Sequence, residues 1–162
     1  MNENAKEWIS KLSLKSHPEG GYYREIYRSA TEFDNGENLR TLSTSIYFLL
    51  NELEKSHFHQ LSSDEIWYFH AGAPCKIHMI HANGDYETQL LGLDILKDES
   101  PQIIIPKGTT FAAEVTDKFS YTLMSCMVSP GFDFADFKLF SEEELSSIFP
   151  QHKDIITEFT LR

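Results

Sequence analysis

The sequence predicts an all-β protein, an antiparallel sandwich or barrel with short helices at both ends. Short alternating or apolar runs recur along the chain with turn residues between them, and helix patterns occur only near the termini. Asn83-Gly84 separates two alternating runs, which is the strongest short signal for a hairpin. Because no repeat, low-complexity tract or linker interrupts the 162 residues, a single domain over 1–162 is expected.

The terminal helices and the strands follow in order. Ala5, Trp8, Ile9 and Leu12 share one helical face, which predicts an amphipathic N-terminal helix. Ser141, with an acidic residue three positions later, is typical of a capping box that begins a C-terminal helix. A barrel core over about 17–139 and a helical tail over 140–162 are therefore expected. Strands are predicted at 22–29, 41–50, 65–71, 75–81, 86–93, 103–105, 111–115 and 121–128.

The composition of the chain restricts which classes of binding partner are expected. The chain has 25 acidic and 14 basic side chains and a net charge of -11, which argues against nucleic acid or an anionic membrane as its partner. No apolar run is long enough to span a bilayer, and the N-terminus lacks a signal-peptide pattern, so a cytoplasmic protein is predicted. Cys75 and Cys126 lie in apolar strand-like runs and are predicted to be buried thiols rather than a disulfide.

The chemistry is concentrated between residues 57 and 72. In a regular strand, His57 and His59 point to the same face, and Glu65 comes from the next strand. Two imidazoles and a carboxylate can hold a divalent transition metal, or they can supply a general base with its orienting partner. Trp67 and Phe69 share the face of Glu65, which predicts an aromatic wall beside the carboxylate.

This pattern resembles the first sequence motif of the cupins, with His57, His59, Glu65 and Gly72 at its key positions. Residues 106–108, Pro-Lys-Gly after an apolar strand, resemble the second cupin motif. The runs 17–25, 45–50 and 129–137 narrow the resemblance to small cupins of unknown function, grouped by structure with the dTDP-4-dehydrorhamnose 3,5-epimerase-like jelly rolls. The resemblance implies a cupin double-stranded β-helix, which is a jelly-roll barrel, with an interior pocket and a homodimer, but it implies no particular reaction.

The resemblance also has departures that bear on metal binding. Metal-binding cupins place a further histidine where this chain has Phe111, which cannot ligate a metal. The remaining candidate ligands for a divalent iron, manganese, nickel or zinc ion are His57, His59 and Glu65. These residues therefore leave open whether the protein binds a metal and which metal that is.

Further candidates concern substrate binding. The resemblance places Arg24 and Glu25 near the pocket, where an arginine suits a phosphate or carboxylate, although a surface strand explains them equally. His17 precedes Pro18 in a turn and is expected to have only a positional role. Four aromatic residues are candidates to line the interior, with core packing as the alternative: Tyr47, Trp67, Phe69 and Phe111.

Three functions are compatible with these residues. The first is a homodimeric cupin that binds a small polar metabolite, such as a sugar derivative, and acts as an isomerase or epimerase. In it, His57 or His59 is the base at a carbon next to a carbonyl, and Glu65 orients it. The second is a metal-dependent oxygenase or lyase with His57, His59 and Glu65 as ligands. The third is a non-catalytic small-molecule-binding module.

Overall fold

The structure is a computed structural model that describes residues 1–36 and 38–161; Glu37 and Arg162 lie outside the described residues. The helices are α1 (Glu3–Lys11), α2 (Glu142–Ile148) and α3 (Lys153–Glu158). The strands are β1 (Lys15–Ser16), β2 (Tyr22–Arg28), β3 (Glu32–Asp34), β4 (Leu39–Thr41), β5 (Thr44–Asn51), β6 (Lys55–Gln60), β7 (Asp64–Gly72), β8 (Cys75–Ile80), β9 (Tyr86–Leu91), β10 (Glu99–Ser100), β11 (Gln102–Ile105), β12 (Thr110–Val115), β13 (Tyr121–Ser129) and β14 (Lys138–Leu139).

The strands form two six-stranded sheets. The first has the order β1-β2-β5-β13-β7-β11, and the second has the order β10-β9-β8-β12-β6-β14. Neighbouring strands are antiparallel except for β10 beside β9, and β3 and β4 form a separate hairpin. The predicted hairpin at Asn83-Gly84 joins β8 to β9. The all-β jelly-roll prediction with terminal helices is confirmed.

A core cluster shared by the two sheets explains why the strands alternate. On β5 and β13, Phe48, Met124 and Cys126 are buried in this cluster, and β8 and β12 of the other sheet contribute Ile77 and Phe111. Each such side chain removed from water contributes roughly 2 kcal/mol to the free energy of unfolding. Cys75 and Cys126 are both free and buried, as predicted.

The helices cover the outer faces of the sheets. The Asn2 side chain caps α1 by accepting the backbone N–H of Asn4 at 3.0 Å, and Ala5 is fully buried against Leu49 and Leu123 of the first sheet. The side chains of α2 and α3 pack with Phe58 of the second sheet. Among residues 1–36 and 38–161, no helix is long and apolar enough to cross a membrane.

Candidate functional site

A cavity of about 500 Å³ opens into the barrel between the sheets. This volume lies in the range of ordinary small-molecule sites. Its wall is strongly aromatic, with rings from β2, β5, β7 and the segment after β13: Tyr23, Phe48, Trp67, Phe132, Phe134 and Phe137. Four titratable side chains form the polar part of the interior: His17, Glu19, His59 and Glu65.

The carboxyl group of Glu19 is the centre of a buried hydrogen-bonded cluster. Its Oε2 lies 3.1 Å from Nε2 of His59 and 3.4 Å from Nδ1 of His17. Its Oε1 accepts the hydroxyl proton of Ser56 at 2.8 Å. Glu19 and His59 are only 6% and 2% exposed, but both line the open cavity, through which water can reach them.

The turn between β1 and β2 brings Glu19 to this position. Gly20 has φ +112°, and a Cβ there would lie 2.0 Å from the carbonyl oxygen of Lys55 on β6. Only glycine therefore allows the turn to approach β6 so closely. The backbone N–H of His57 donates to the carbonyl of Glu19 at 2.8 Å, and Nδ1 of its imidazole lies 2.7 Å from the same oxygen. His57 thus holds the backbone of the turn that carries Glu19.

The hydrogen bonds of His59 determine its tautomer. Its Nδ1 lies 2.7 Å from the carbonyl oxygen of His57, which can only accept, so Nδ1 carries a proton. Burial lowers the pKa of His59 to about 3, and the neutral ring therefore presents a lone pair on Nε2. Burial first, and then the nearby Glu65, raise the pKa of Glu19 well above its ordinary value. The proton shared by this pair consequently rests on Glu19, which donates it to Nε2 of His59.

Glu65 on β7 is a second buried carboxyl group in the same cavity. It is 6% exposed, and its Oε2 has no hydrogen-bond partner in the described part of the chain. Burial raises the pKa of Glu65 to about 7, although the side chains of Trp67 and Cys126 moderate this rise. Near neutral pH, Glu65 can therefore either hold or accept a proton.

His17 is the other residue whose role the sequence underestimated. It accepts the backbone N–H of Glu19 on Nδ1 at 3.3 Å, and its ring centroid lies 4.5 Å from that of Tyr23 and 5.8 Å from that of Phe137. Burial lowers the pKa of His17 to about 4. The expected positional role is therefore incomplete, since His17 also lines the cavity. The sequence signal for this role is a histidine and a glutamate, His17 and Glu19, close together in the chain. Because Pro18, Gly20 and Gly21 around them indicate a turn, the sequence predicts only a turn there.

The prediction that His57 shares a face with His59 is wrong. In the pairing of β6 with β12, Phe111 lies opposite His59 and Ala113 lies opposite Ser56, so two residues of β6 face a single residue of β12. This β-bulge interrupts the alternation of side chains. As a result, Ser56 and His59 both contact Glu19, whereas His57 borders a separate surface groove.

The structure also separates the predicted aromatic residues. Trp67 lines the cavity as predicted. Phe111 does not line it but packs behind His59, with ring centroids 4.0 Å apart, and Phe69 packs against the core cluster. Tyr47 faces the outer side of the first sheet, because it alternates with Phe48, and it packs with the cluster under α1. Of the four candidates, only Trp67 therefore lines the cavity, and core packing, the alternative reading, holds for Phe69 and Phe111.

Arg24 and Glu25 lie at the mouth of the cavity. The guanidinium of Arg24 donates to the carbonyl of Leu12 at 3.1 Å, just beyond the end of α1. Glu25 forms a two-bond ion pair with Arg28, at 3.0 and 2.8 Å. Both residues are at the rim, as the resemblance implied, but each is already engaged by the protein.

The proposed metal ligands do not fit a metal ion. His57 lies outside the cavity, and Nε2 of His59 is directed at Glu19. Within residues 1–36 and 38–161, no group of three or more His, Cys, Asp or Glu side chains is arranged to hold a metal. The predicted set of His57, His59 and Glu65 is therefore not assembled.

Comparison with known proteins agrees with this architecture. The chain is 46% identical to protein SO0799 from Shewanella oneidensis, with a TM-score of 0.90 and coverage of 99% of this chain and 98% of that one. It is 38% identical to a hypothetical protein from Leishmania major, with a TM-score of 0.93 and coverage of 98% and 99%. An uncharacterized protein of Saccharomyces cerevisiae, YML079W, is 28% identical in an alignment of 159 residues that covers 88% of this chain and 79% of that protein.

The family assignment follows from the whole barrel rather than from the site alone. Residues 6–140 match the sequence profile of the family Cupin_5, described as "Cupin superfamily (DUF985)". This match includes both predicted cupin motifs and every strand up to β14. The chain therefore belongs to the DUF985 family of the cupin superfamily.

Proposed function

We propose that this cupin binds a small polar carbonyl compound, such as a sugar derivative, in the barrel and moves a proton at the carbon next to the carbonyl. The observation that carries the proposal is the presence of two different carboxyl groups in one buried cavity. Glu19 shares a proton with His59, whereas the Oε2 of Glu65 has no partner among the described residues. An isomerase or epimerase requires an acid that carries a proton and a base with a free acceptor atom, both in one cavity with apolar walls.

The roles of the residues differ from those that the sequence suggested. Glu65 is the base: the C–H bond breaks, its proton passes to Glu65, and the electron pair moves into the carbonyl to form an enolate. The Glu19–His59 pair is the acid and returns its proton to the carbon, and exchange with solvent then resets both groups. The partner of His59 is Glu19, not Glu65, because their facing atoms are 3.1 Å apart.

The same cavity gives little support to covalent catalysis. Cys126 lines it, but burial raises the pKa of its thiol well above the ordinary value, as do the carboxyl groups of Glu65 and Glu19. A thiol that stays protonated is a poor nucleophile. Proton transfer between carboxyl and imidazole groups is therefore the chemistry that these side chains favour.

Deuterium exchange tests the proposal. The purified protein is incubated in D₂O with hexoses, 6-deoxyhexoses, hexosamines and their keto derivatives, and proton NMR follows the C–H next to the carbonyl. We expect the wild type to exchange this hydrogen in at least one compound, and His59→Gln to be at least ~100-fold slower. His81→Asn is the matched control, since His81 pairs with Glu87 at 2.8 Å outside the cavity.

Two outcomes would reject the proposal. If a compound raises the melting temperature but no exchange occurs, the protein is the non-catalytic binding module. If His59→Gln exchanges as fast as the wild type, proton transfer does not use this pair.

A further inference from the structure

The two buried carboxyl groups lack a positively charged partner. Among the described residues, no lysine or arginine nitrogen lies within 4 Å of Glu19 or Glu65. Glu19 contacts only two imidazoles and a serine hydroxyl, and Glu65 has only the neutral donors of Trp67 and Cys126 beside it, with no hydrogen-bond partner on Oε2 among the described residues. Buried carboxylates in proteins are normally paired with a cation or a full set of donors. The protein therefore leaves a place for a donor that arrives with a ligand.

The walls around these carboxyl groups are also suited to a cation. Trp67 and Phe48 lie 5.7 Å apart between ring centroids, and Phe137 lies 5.5 Å from the ring of His59. All three rings line the cavity. Aromatic faces attract ammonium groups, and they do so more strongly where water is excluded.

The rim does not select the sign of a ligand's charge. Lys15, Arg24 and Arg28 line the mouth together with Glu25 and Asp133, so both signs are present there. Arg28 is paired with Glu25, and Nζ of Lys15 lies 5.1 Å from the ring centroid of Tyr23. A preference for one sign of ligand charge must therefore come from the buried part of the cavity, where Glu19 and Glu65 have no lysine or arginine partner.

We propose that the ligand carries an ammonium group that binds Oε2 of Glu65 against the aromatic wall, so that the substrate is an amino-substituted sugar or a related amino carbonyl compound. This inference rests on the proposed function only in using the same cavity. An ammonium group supplies the counter-charge that the buried carboxyl groups lack.

Matched pairs of probes test the inference. Binding of glucosamine and glucose, and of galactosamine and galactose, is measured by isothermal titration calorimetry on the full chain at neutral pH. The members of each pair differ only in an amino or hydroxyl group at one carbon. We expect the amine to bind at least tenfold more tightly in at least one pair, and Glu65→Gln to reduce this preference to less than twofold.

The outcomes separate the two proposals. Equal affinities within each pair, tighter binding of the neutral sugar, absence of amine binding, or a preference that persists in Glu65→Gln would overturn the inference. If Glu65→Gln does not fold, the difference in affinity between amino and neutral sugars in the wild type decides whether the inference holds. Selective amine binding without deuterium exchange would reject the proposed reaction but keep the amine site. Deuterium exchange on neutral sugars that bind as tightly as the matching amino sugars would keep the proposed reaction but reject the amine site.

Discussion

Nε2 of His59 lies 3.1 Å from Oε2 of Glu19, although one residue comes from a strand of the second sheet and the other from the turn that precedes β2. The contact is possible because His57 and Gly20 fix the turn against β6. It joins an imidazole whose tautomer is set by a backbone carbonyl to a carboxyl group that keeps its proton. The acid of the site is thus a pair of residues rather than a single side chain.

The hydrogen bonds of Glu19 predict how substitutions there affect stability. Glu19→Leu removes the partner of both the Ser56 hydroxyl and Nε2 of His59, so we expect the free energy of unfolding to fall by about 2 kcal/mol. Glu19→Gln keeps both an acceptor for Ser56 and a donor for His59, so its loss of unfolding free energy should stay below about 1 kcal/mol. Urea denaturation at pH 7 measures both. Equal losses would show that these contacts do not stabilise the fold.

The β-bulge in β6 predicts unequal effects for the two histidines. His57 bonds the backbone of Glu19 but does not line the cavity, so His57→Asn should keep deuterium exchange within about tenfold of the wild type. His59→Gln removes a member of the acid pair and should reduce the rate by ~100-fold or more. The rate of exchange measured by NMR distinguishes them. A loss with His57→Asn as large as that with His59→Gln would restore His57 as a candidate catalytic residue.

The raised pKa of Glu65 predicts a stability difference that depends on pH. Between about pH 4.5 and pH 7, the unfolded chain releases the Glu65 proton while the native protein retains it. The unfolded state then binds fewer protons, so stability falls by about 1.4 kcal/mol per pH unit through this group. The contribution is fully present below pH 4.5 and is lost as the pH rises through 7.

Glu65→Gln isolates this contribution, because glutamine does not titrate. We expect the wild type to lose about 3 kcal/mol of stability relative to the variant between pH 4.5 and pH 7. Urea denaturation of both proteins at several pH values provides the comparison, in which the other titrating groups cancel. A difference that does not change with pH would mean that Glu65 titrates normally in the native protein.

The positions of the predicted ligands lead us to expect no bound metal. His57 lies in a separate groove from the cavity that contains His59 and Glu65. Protein purified without tags or chelators should contain less than about 0.1 equivalent of iron, manganese, nickel or zinc by elemental analysis. EDTA should leave the melting temperature unchanged. A stoichiometric metal that is lost in His59→Gln would contradict this expectation and revive the oxygenase or lyase hypothesis.

The outer face of the first sheet predicts a homodimer. Over β5, β13, β7 and β11, two rows of register partners on this face carry no charged side chain, and Arg24 of β2 ends the second: Ser45, Met127, Ile66 and Ile104 form one, and Tyr47, Ser125, Tyr68 and Gln102 form the other. In a chain with a net charge of -11, the uncharged part of this face that α1 does not cover is the surface on which two copies repel each other least. Sedimentation velocity at micromolar concentration should show a dimer. Met127→Glu should yield a folded monomer, whereas a monomeric wild type would contradict the prediction.

The sequence by itself determined strands β2, β5, β7, β8, β9, β11, β12 and β13, the hairpin at Asn83-Gly84, the Ser141 cap of α2 and the facing of Glu65 and Trp67, because these depend on local periodicity and turn chemistry. It could not determine the direction of His57, since a bulge arises from the pairing of two strands and not from either strand alone. Nor could it place His17 and Glu19 in the cavity. Their position depends on a close approach of Gly20 to β6, which is a contact between segments distant in the chain. The tertiary structure therefore decided that Glu19 and His59 form the acid pair, because only the packing of the turn against β6 brings their side chains within hydrogen-bonding distance.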